Sequence, residues 1–355
     1  MARVAVVTSD PPFAAGGHLV IAEGLVSALR SAGHDASVIR TPQNRFGRQG
    51  TAYLATWMTD VGVADDGKPI DHVVSFRFPS YAVRHPSHVC WLNHRMREYY
   101  DQWSRFVEPL SPRARFKEGL RRRLIHAADT YLLTRNVRKV FAQSRTIQRR
   151  LARWGRIPSE VLYPPPPPRA YRCEGYGDYL FVACRLSPLK RVRLVLEALA
   201  QPVARGIKCV IVGDGNERSA LQAAAEQLGL VDRVRLVGSV DEHRLVEYFG
   251  ACRAVCYPPM AEDYGLVTLE AFASGKAVVT CSDSGGPAEL VGSGVHGFVV
   301  EPDPASLANA FRQLMDDPAL AERLGETARR RALEFTWERT LPRLLGTEAS
   351  RRDAE

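Results

Sequence analysis

Two α/β domains in tandem, each a parallel β-sheet covered by helices, are the fold class this sequence predicts. Three observations lead there. Short apolar runs without polar alternation recur along the chain and alternate with stretches of helical periodicity, which is the pattern of βαβ units with strands buried on both faces. At 355 residues the chain can give each of two domains its own core. A proline run, Pro164 to Pro168, interrupts the pattern near its middle. In polyproline II form it spans roughly 15 Å and flexes little, so it reads as an interdomain linker.

Composition narrows the class further. Hydrophobic residues are 45% and charged residues 25% of the chain, as expected of a soluble globular protein. No apolar run reaches the roughly 18 residues of a membrane span. The start, MARVAVVTSD, runs directly into a strand–loop–helix unit and reads as a first strand, not a signal peptide. The 7 cysteines are odd in number, scattered, and without a CxxC pair. They read as core residues in a reducing compartment, so a cytoplasmic location is expected and neither a disulfide framework nor a metal site is. The net charge of +9, concentrated between Arg95 and Arg156, allows acidic partners. No helix-turn-helix, zinc or RNA-binding-sheet signature accompanies it, and nucleic acid is not an expected partner.

In the first half, Arg3–Thr8 is an apolar strand followed by a loop with Pro11 and Pro12. Gly16 and Gly17 open a helix with Leu19, Val20, Leu25, Val26 and Leu29 on its apolar face; Gly33-His34 end it before the strand Ala36–Ile39. The glycine pair lets backbone approach a ligand closely at a helix start, or serves only as a tight turn into the helix. A GxGxxG nicotinamide fingerprint is absent. Asp71–Phe76 and His88–Leu92 are further strands, and Asn93, His94 and Arg95 follow the second. Ligands collect at such strand ends, which makes His94 a candidate, with Asn93, Arg95 and Arg97 as supporting or acceptor contacts. Between Pro109 and Leu124 lies a basic block, Arg113, Arg115, Lys117, Arg121, Arg122 and Arg123, with Phe116, Leu120 and Leu124 at helical spacing. This segment, 113–123, is either a solvated amphipathic helix or a peripheral contact with an anionic membrane or acceptor. Val137–Ser144 is a strand and Thr146–Trp154 a helix.

In the second half, Asp178–Ala183 is a buried strand ending in CRLSPLKR. Arg185 at its end and Lys190 at the next helix point cations into one crevice, a fork and a mobile point charge suited to phosphate oxygens. Lys208–Val212 runs into a second glycine turn, Gly213-Asp214-Gly215. After Val234–Gly238, the strand Ala254–Tyr257 leaves through Pro258-Pro259 and passes Glu262, Asp263 and Tyr264 to Gly265, where a helix begins. The amides of Gly265, Leu266 and Val267 are candidates to hold phosphate oxygens at the positive end of that helix. Glu262 in the loop and Glu270 inside the helix can each accept two hydrogen bonds from a sugar diol. A solvated loop acid and a surface helix acid fit the same spacing. Ala277–Thr280 and Gly297–Val300 complete the sheet, and helices follow from Pro304 to Glu334.

The run EDYGLVTLEAFASGKAVV, followed by DSGGPAELV, resembles the donor-site signature of retaining, nucleotide-sugar-dependent glycosyltransferases with the GT-B fold, family 4. Tyr264, often Phe in that family, departs from it mildly. The resemblance covers most of the chain and is looser in the first half. It implies a GT-B architecture of two Rossmann-like domains facing an interdomain cleft: an acceptor domain over 1–163, a linker over 164–170, a nucleotide-sugar domain over 171–334, and over 335–355 a last helix that crosses back to the first domain and then a tail beyond Thr347. It implies hexosyl transfer from a nucleoside-diphosphate sugar, UDP- or GDP-linked, to a hydroxyl of a lipid, polysaccharide or small natural product. Retention of configuration, no cofactor and no metal are part of that expectation. In this reading Arg185 and Lys190 clamp the diphosphate, Glu270 holds the ribose, Glu262 and His94 contact the sugar, and Gly16-Gly17 lie near the phosphates. Gly213-Asp214-Gly215 and Val240 would lie beside the nucleotide, with Asp263 and Tyr264 in the same corner. A GT-B sugar-nucleotide epimerase and a non-catalytic nucleotide-sugar or glycan binder are the rival readings; the first consumes donor without acceptor, and the second need not keep the whole clamp.

Overall fold

The computed structural model describes residues 1–10, 16–43 and 47–347. The loop with Pro11 and Pro12 and the tail expected beyond Thr347 lie outside the described residues. The chain divides into two compact units, Met1–Pro164 with Thr336–Glu355, and Pro165–Phe335.

The first unit holds β1 (Arg3–Asp10), β2 (Asp35–Pro42), β3 (His72–Ser75), β4 (His88–Leu92), β5 (Lys139–Ala142) and β6 (Glu160–Val161). They form one sheet in the order β2-β1-β3-β4-β5-β6, and every neighbouring pair is parallel. Val4, Val6 and Val7 of β1 are buried, as the unalternating run requires of a central strand. The helix Gly17–Ser31 lays Ile21, Ala22, Leu25, Val26 and Leu29 against the sheet. The two-residue β6 and the helix Gln49–Trp57 were not anticipated. The first is too short to show a period, and the second buries Gln49, Ala52 and Thr56, a face that is mostly not apolar.

The basic block lies in a helix from Pro112 to Tyr131. Ser111 caps it, accepting from the Ala114 amide at 3.3 Å, and Pro112 starts it with a φ already set for a helix. Its inner face carries Ile125 and Asp129, both buried. Asp129 accepts hydrogen bonds from the hydroxyls of Tyr53, Tyr81 and Tyr100. The helix Trp337–Leu345 completes this unit: Trp337 meets the buried Trp91 edge-on at 6.1 Å, and Arg343 donates to Glu160 at 2.8 Å.

The second unit holds β7 (Tyr179–Ala183), β8 (Lys208–Val212), β9 (Val234–Gly238), β10 (Ala254–Cys256), β11 (Val278–Cys281) and β12 (Gly297–Val300). Its order is β12-β11-β10-β7-β8-β9, again parallel throughout. Leu180, Val182, Ile211, Cys256 and Val279 from the strands share one core with Val195, Leu199, Phe311 and Leu314 from the helices. The helices Pro304–Asp316 and Pro318–Ala332 each start at an Asp-Pro pair. Asp303 accepts from the Ser306 amide at 2.9 Å and Asp317 from the Leu320 amide at 2.8 Å. All seven cysteines are free, and five of them, Cys90, Cys209, Cys252, Cys256 and Cys281, are buried.

Parallel pairing puts every strand's C-terminal end on one edge of its sheet. In the second unit the chain starts at β7, lays β8 and β9 on one side, then crosses to β10, β11 and β12 on the other. The reversal between β7 and β10 opens a crevice at that edge, the usual ligand position in such sheets. The first unit reverses between β1 and β3.

Candidate active site

The loops after β7 and β10 bracket the second unit's reversal point, and they carry the clamp and the acidic corner. Residues Pro188–Lys190 form a single 3-10 turn, after which Arg191 takes a left-handed conformation at φ 51° and starts the helix Val192–Leu199. Arg191 is a functional positioner that the sequence reading missed. Its guanidinium donates to the Pro258 carbonyl at 2.7 Å, to the Pro259 carbonyl at 2.9 Å, and to both oxygens of Asp283 at 2.6 and 2.8 Å. The loops after β7, β10 and β11 are thereby stapled together by one side chain. The Met260 amide adds a bond to the Leu189 carbonyl at 2.7 Å.

Lys190 is directed by this scaffold onto Glu262. Its ammonium donates to Glu262 Oε2 at 2.6 Å and to the Tyr257 hydroxyl at 2.9 Å. Burial pulls the lysine's pKa down, but Tyr257 and Glu262 together outweigh it and leave the ammonium held above its ordinary value. Burial pushes the Tyr257 hydroxyl up, with Glu262 adding to it, so that phenol stays protonated. The cluster is thus a charged lysine, a carboxylate and a neutral phenol. An ammonium has three N–H donors, and two are used here. Arg185 sits just beyond β7 with an exposed side chain.

The Glu262 loop is held by backbone. Ala261 N donates to Asp283 O and Glu262 N to Ser284 O, both at 2.9 Å, while Gly286 N donates to Glu262 O at 3.0 Å. DSGGPA is therefore the backing of the acidic loop. Gly265 caps the helix Leu266–Ala273 at φ 82°, ψ 70°. A β-carbon there would meet Pro287 Cγ at 2.7 Å, so the position excludes other residues by conformation and by space. The amides of Gly265, Leu266 and Val267 make no backbone hydrogen bond among the described residues. Tyr264 is buried behind them and Asp263 is half-buried.

Glu270 is 6% exposed and is met by Arg169 and by the Tyr171 hydroxyl, the latter at 3.2 Å. Both contacts fall on Oε1. Arg169 also lies 3.4 Å from Glu242. These partners were not anticipated, since they come from the segment after the prolines. The second glycine turn acts on the clamp loop: a β-carbon on Gly213 would lie 1.8 Å from the Cys184 carbonyl oxygen, and one on Gly215 2.2 Å from that of Leu186. Both glycines let the β8 loop pass against the segment that carries Arg185. Val240, half-buried, follows β9 at the same edge.

In the first unit, Gly16 is the extended N-cap of the helix that Gly17 begins, at the β1 strand end. His18, which the sequence reading passed over, is buried there, with Arg77 Nη1 3.2 Å from both of its ring nitrogens. His94 lies one strand out from the reversal, at the end of β4. Its backbone amide donates to Asn93 Oδ1 at 2.7 Å, and its Nδ1 lies 2.8 Å from the Arg95 carbonyl. It lines a cavity of about 20 Å³ with Leu92, Arg97, Tyr100, Asp101 and Arg150.

Of the two roles expected of Arg95 and Arg97, supporting or acceptor contacts, their partners match the supporting one. Arg95 is buried, donates to the Trp154 and Arg150 carbonyls at 2.8 and 3.1 Å, and lies over the Tyr100 ring. Arg97 is paired with Asp101 at 2.6 Å. A buried cation such as Arg95 needs such partners, and the half-buried Arg97 finds its own in Asp101.

Residues 174–331 match the family described as "Glycosyl transferases group 1". A curated D-inositol 3-phosphate glycosyltransferase of Streptomyces avermitilis is 36% identical over 168 residues, which is 44% of this chain and 36% of that protein. The chain thus spans little more than a third of that relative's length. Among solved structures, sucrose-phosphate synthase from Thermosynechococcus elongatus superposes with a TM-score of 0.73 at 18% identity, covering 99% of this chain and 100% of that one. Anabaena HepE, solved with UDP and glucose, superposes with a TM-score of 0.64 at 17% identity, with coverage of 99% and 100%. The fold is GT-B, and the part of the chain that matches the glycosyl transferases group 1 family is the stretch from residue 174 to residue 331.

Proposed function

We propose that the protein transfers a hexosyl group from a nucleoside-diphosphate sugar to an acceptor hydroxyl, with retention at the anomeric carbon and without a metal ion. One observation carries the reading: the Lys190–Tyr257–Glu262 cluster beside the glycine-capped helix at the reversal point of the second unit. Lys190 keeps its third N–H for a diphosphate oxygen. The amides of Gly265, Leu266 and Val267 and the exposed Arg185 supply further positive ends. Charge grows on the diphosphate as the glycosidic C–O bond breaks, and donors fixed in advance lower that barrier.

The two acids divide the rest of the donor. Among the described residues Glu270 Oε2 has no partner, which suits a ribose diol, and Glu262 Oε1 is open in the same way to a sugar hydroxyl. The acceptor oxygen bonds to the anomeric carbon on the face the diphosphate leaves, and its proton passes to a departing phosphate oxygen. Gly213, Asp214, Gly215, Val240, Asp263 and Tyr264 shape the second unit's share of the donor pocket. The acceptor is a lipid, a polysaccharide end or a small natural product. UDP- and GDP-linked donors come first, the former because UDP and glucose occupy the Anabaena neighbour.

A thermal-shift screen of UDP, GDP, ADP and TDP sugars tests the donor class, because a ligand specific to the folded state raises the melting temperature by mass action. Turnover with the stabilising donor should release nucleotide only when an acceptor is present. Conversion of donor to an isomer without acceptor would instead mark an epimerase.

A further inference from the structure

We propose that the outer face of the helix Pro112–Tyr131 is a docking surface for an anionic lipid bilayer. The helix buries one face and exposes another that is apolar. Ile125 points inward with Asp129, whereas Phe116, Leu120, Leu124 and Tyr131 stand 79%, 55%, 65% and 57% exposed. Single exposed apolar residues are ordinary, but these four fall on one stripe about 22 Å long at 1.5 Å per residue.

The basic residues of the helix sort by whether they border that stripe. Arg115 is spent on the carbonyls of Leu110 and Glu108, Arg121 on Glu118, and Arg122 on the Tyr99 carbonyl. Arg113, Lys117 and Arg123 are exposed and make no hydrogen bond or ion pair among the described residues. At 100° per residue these three lie along the stripe and at its margins. An apolar strip edged by unspent cations matches a bilayer of anionic lipids, whose headgroups take the cations while the acyl boundary takes the apolar side chains. A second copy of the chain would set like charge against like charge across the same stripe. Among the described residues no helix is long and apolar enough to cross a membrane, so this helix lies on the surface. The inference is independent of the proposed transfer reaction.

Co-sedimentation of the full chain with vesicles tests it without any sugar or nucleotide. Binding to phosphatidylcholine vesicles containing phosphatidylglycerol should exceed binding to phosphatidylcholine alone by at least about tenfold, and added salt should weaken it. The variant Phe116→Ser/Leu120→Ser/Leu124→Ser should bind the anionic vesicles at least about tenfold more weakly, as should Arg113→Glu/Lys117→Glu/Arg123→Glu. Both should melt with the parent, since all six side chains are exposed; if the serine variant melts lower, the charge-reversal variant decides. Failure of the parent to bind anionic vesicles overturns the proposal, as does unchanged binding of the serine variant. A dimer that the serine variant loses, with vesicles left unbound, assigns the face to a second copy and overturns it too.

Discussion

The two sheets reverse their strand order at different kinds of corner. In the second unit the corner is built largely from backbone, with the Arg191 side chain as a staple across three loops: Gly265 caps the helix, Gly213 and Gly215 let loops touch, and residues 261–286 are zipped by main-chain hydrogen bonds. In the first unit the side chains His18 and Arg77 occupy the reversal point. A backbone corner needs glycine and proline at fixed spacing and so leaves a local mark in the sequence. A side-chain corner can be built from many residue types and leaves almost none. The amides of Gly265, Leu266 and Val267 also make a stiff platform, because they carry no rotamers to order when a ligand arrives.

The contrast can be broken or sharpened by experiment, beginning with stability. Burial lowers the pKa of His88, at the start of β4, to about 4 from an ordinary 6.5. Between those values the unfolded chain binds a proton that the folded one does not, so stability falls as pH drops from 6.5 toward 4. This group costs about 3 kcal/mol across that window at 1.36 kcal/mol per pKa unit. Hydrogen exchange of the β4 amides should lose protection over the window in the parent and much less in His88→Asn. Equal loss in both would show the imidazole is not the cause.

Next comes Lys190→Ala, expected to lower kcat/KM at least about 100-fold, or roughly 2.7 kcal/mol, with the fold retained. Turnover close to that of the parent would remove the lysine from the mechanism. A smaller effect is expected of Glu270→Gln, which should weaken ribonucleoside diphosphates about tenfold, near 1.4 kcal/mol, and leave 2′,3′-dideoxy analogues unchanged. Equal losses for both ligands would mean that Glu270 serves Arg169 rather than ribose. The smallest expected effect is that of EDTA, which should leave transfer intact; activity abolished by EDTA and restored by Mg²⁺ refutes metal independence.

Much of the architecture was legible in the sequence. Unalternating apolar runs marked the long strands, and helices were expected from Pro304 to Glu334, where two are found. The Gly265 corner was legible too, because only glycine fits its conformation and space. What could not be read were contacts between loops from strands far apart in the chain. Lys190 meets Glu262 across 72 positions and Arg169 meets Glu270 across 101. Such pairings depend on strand order, which has no local signature, and they turned two residues read as separate binders into one cluster. Arg95 stayed open between a supporting and an acceptor role for a related reason: a cation at a strand end looks available until the carbonyls that bury it are known. Arg191 was hidden by its neighbour, since two adjacent basic residues look alike while one faces the crevice and the other staples three loops.

Calorimetric titration of a nucleoside diphosphate and its monophosphate into the parent and Lys190→Ala tests most directly whether the second unit's corner grips a pyrophosphate. The parent should bind the diphosphate at least about tenfold more tightly, and the variant should lose most of that preference. Equal affinity for the two nucleotides in the parent, or a preference that survives the substitution, would contradict the account.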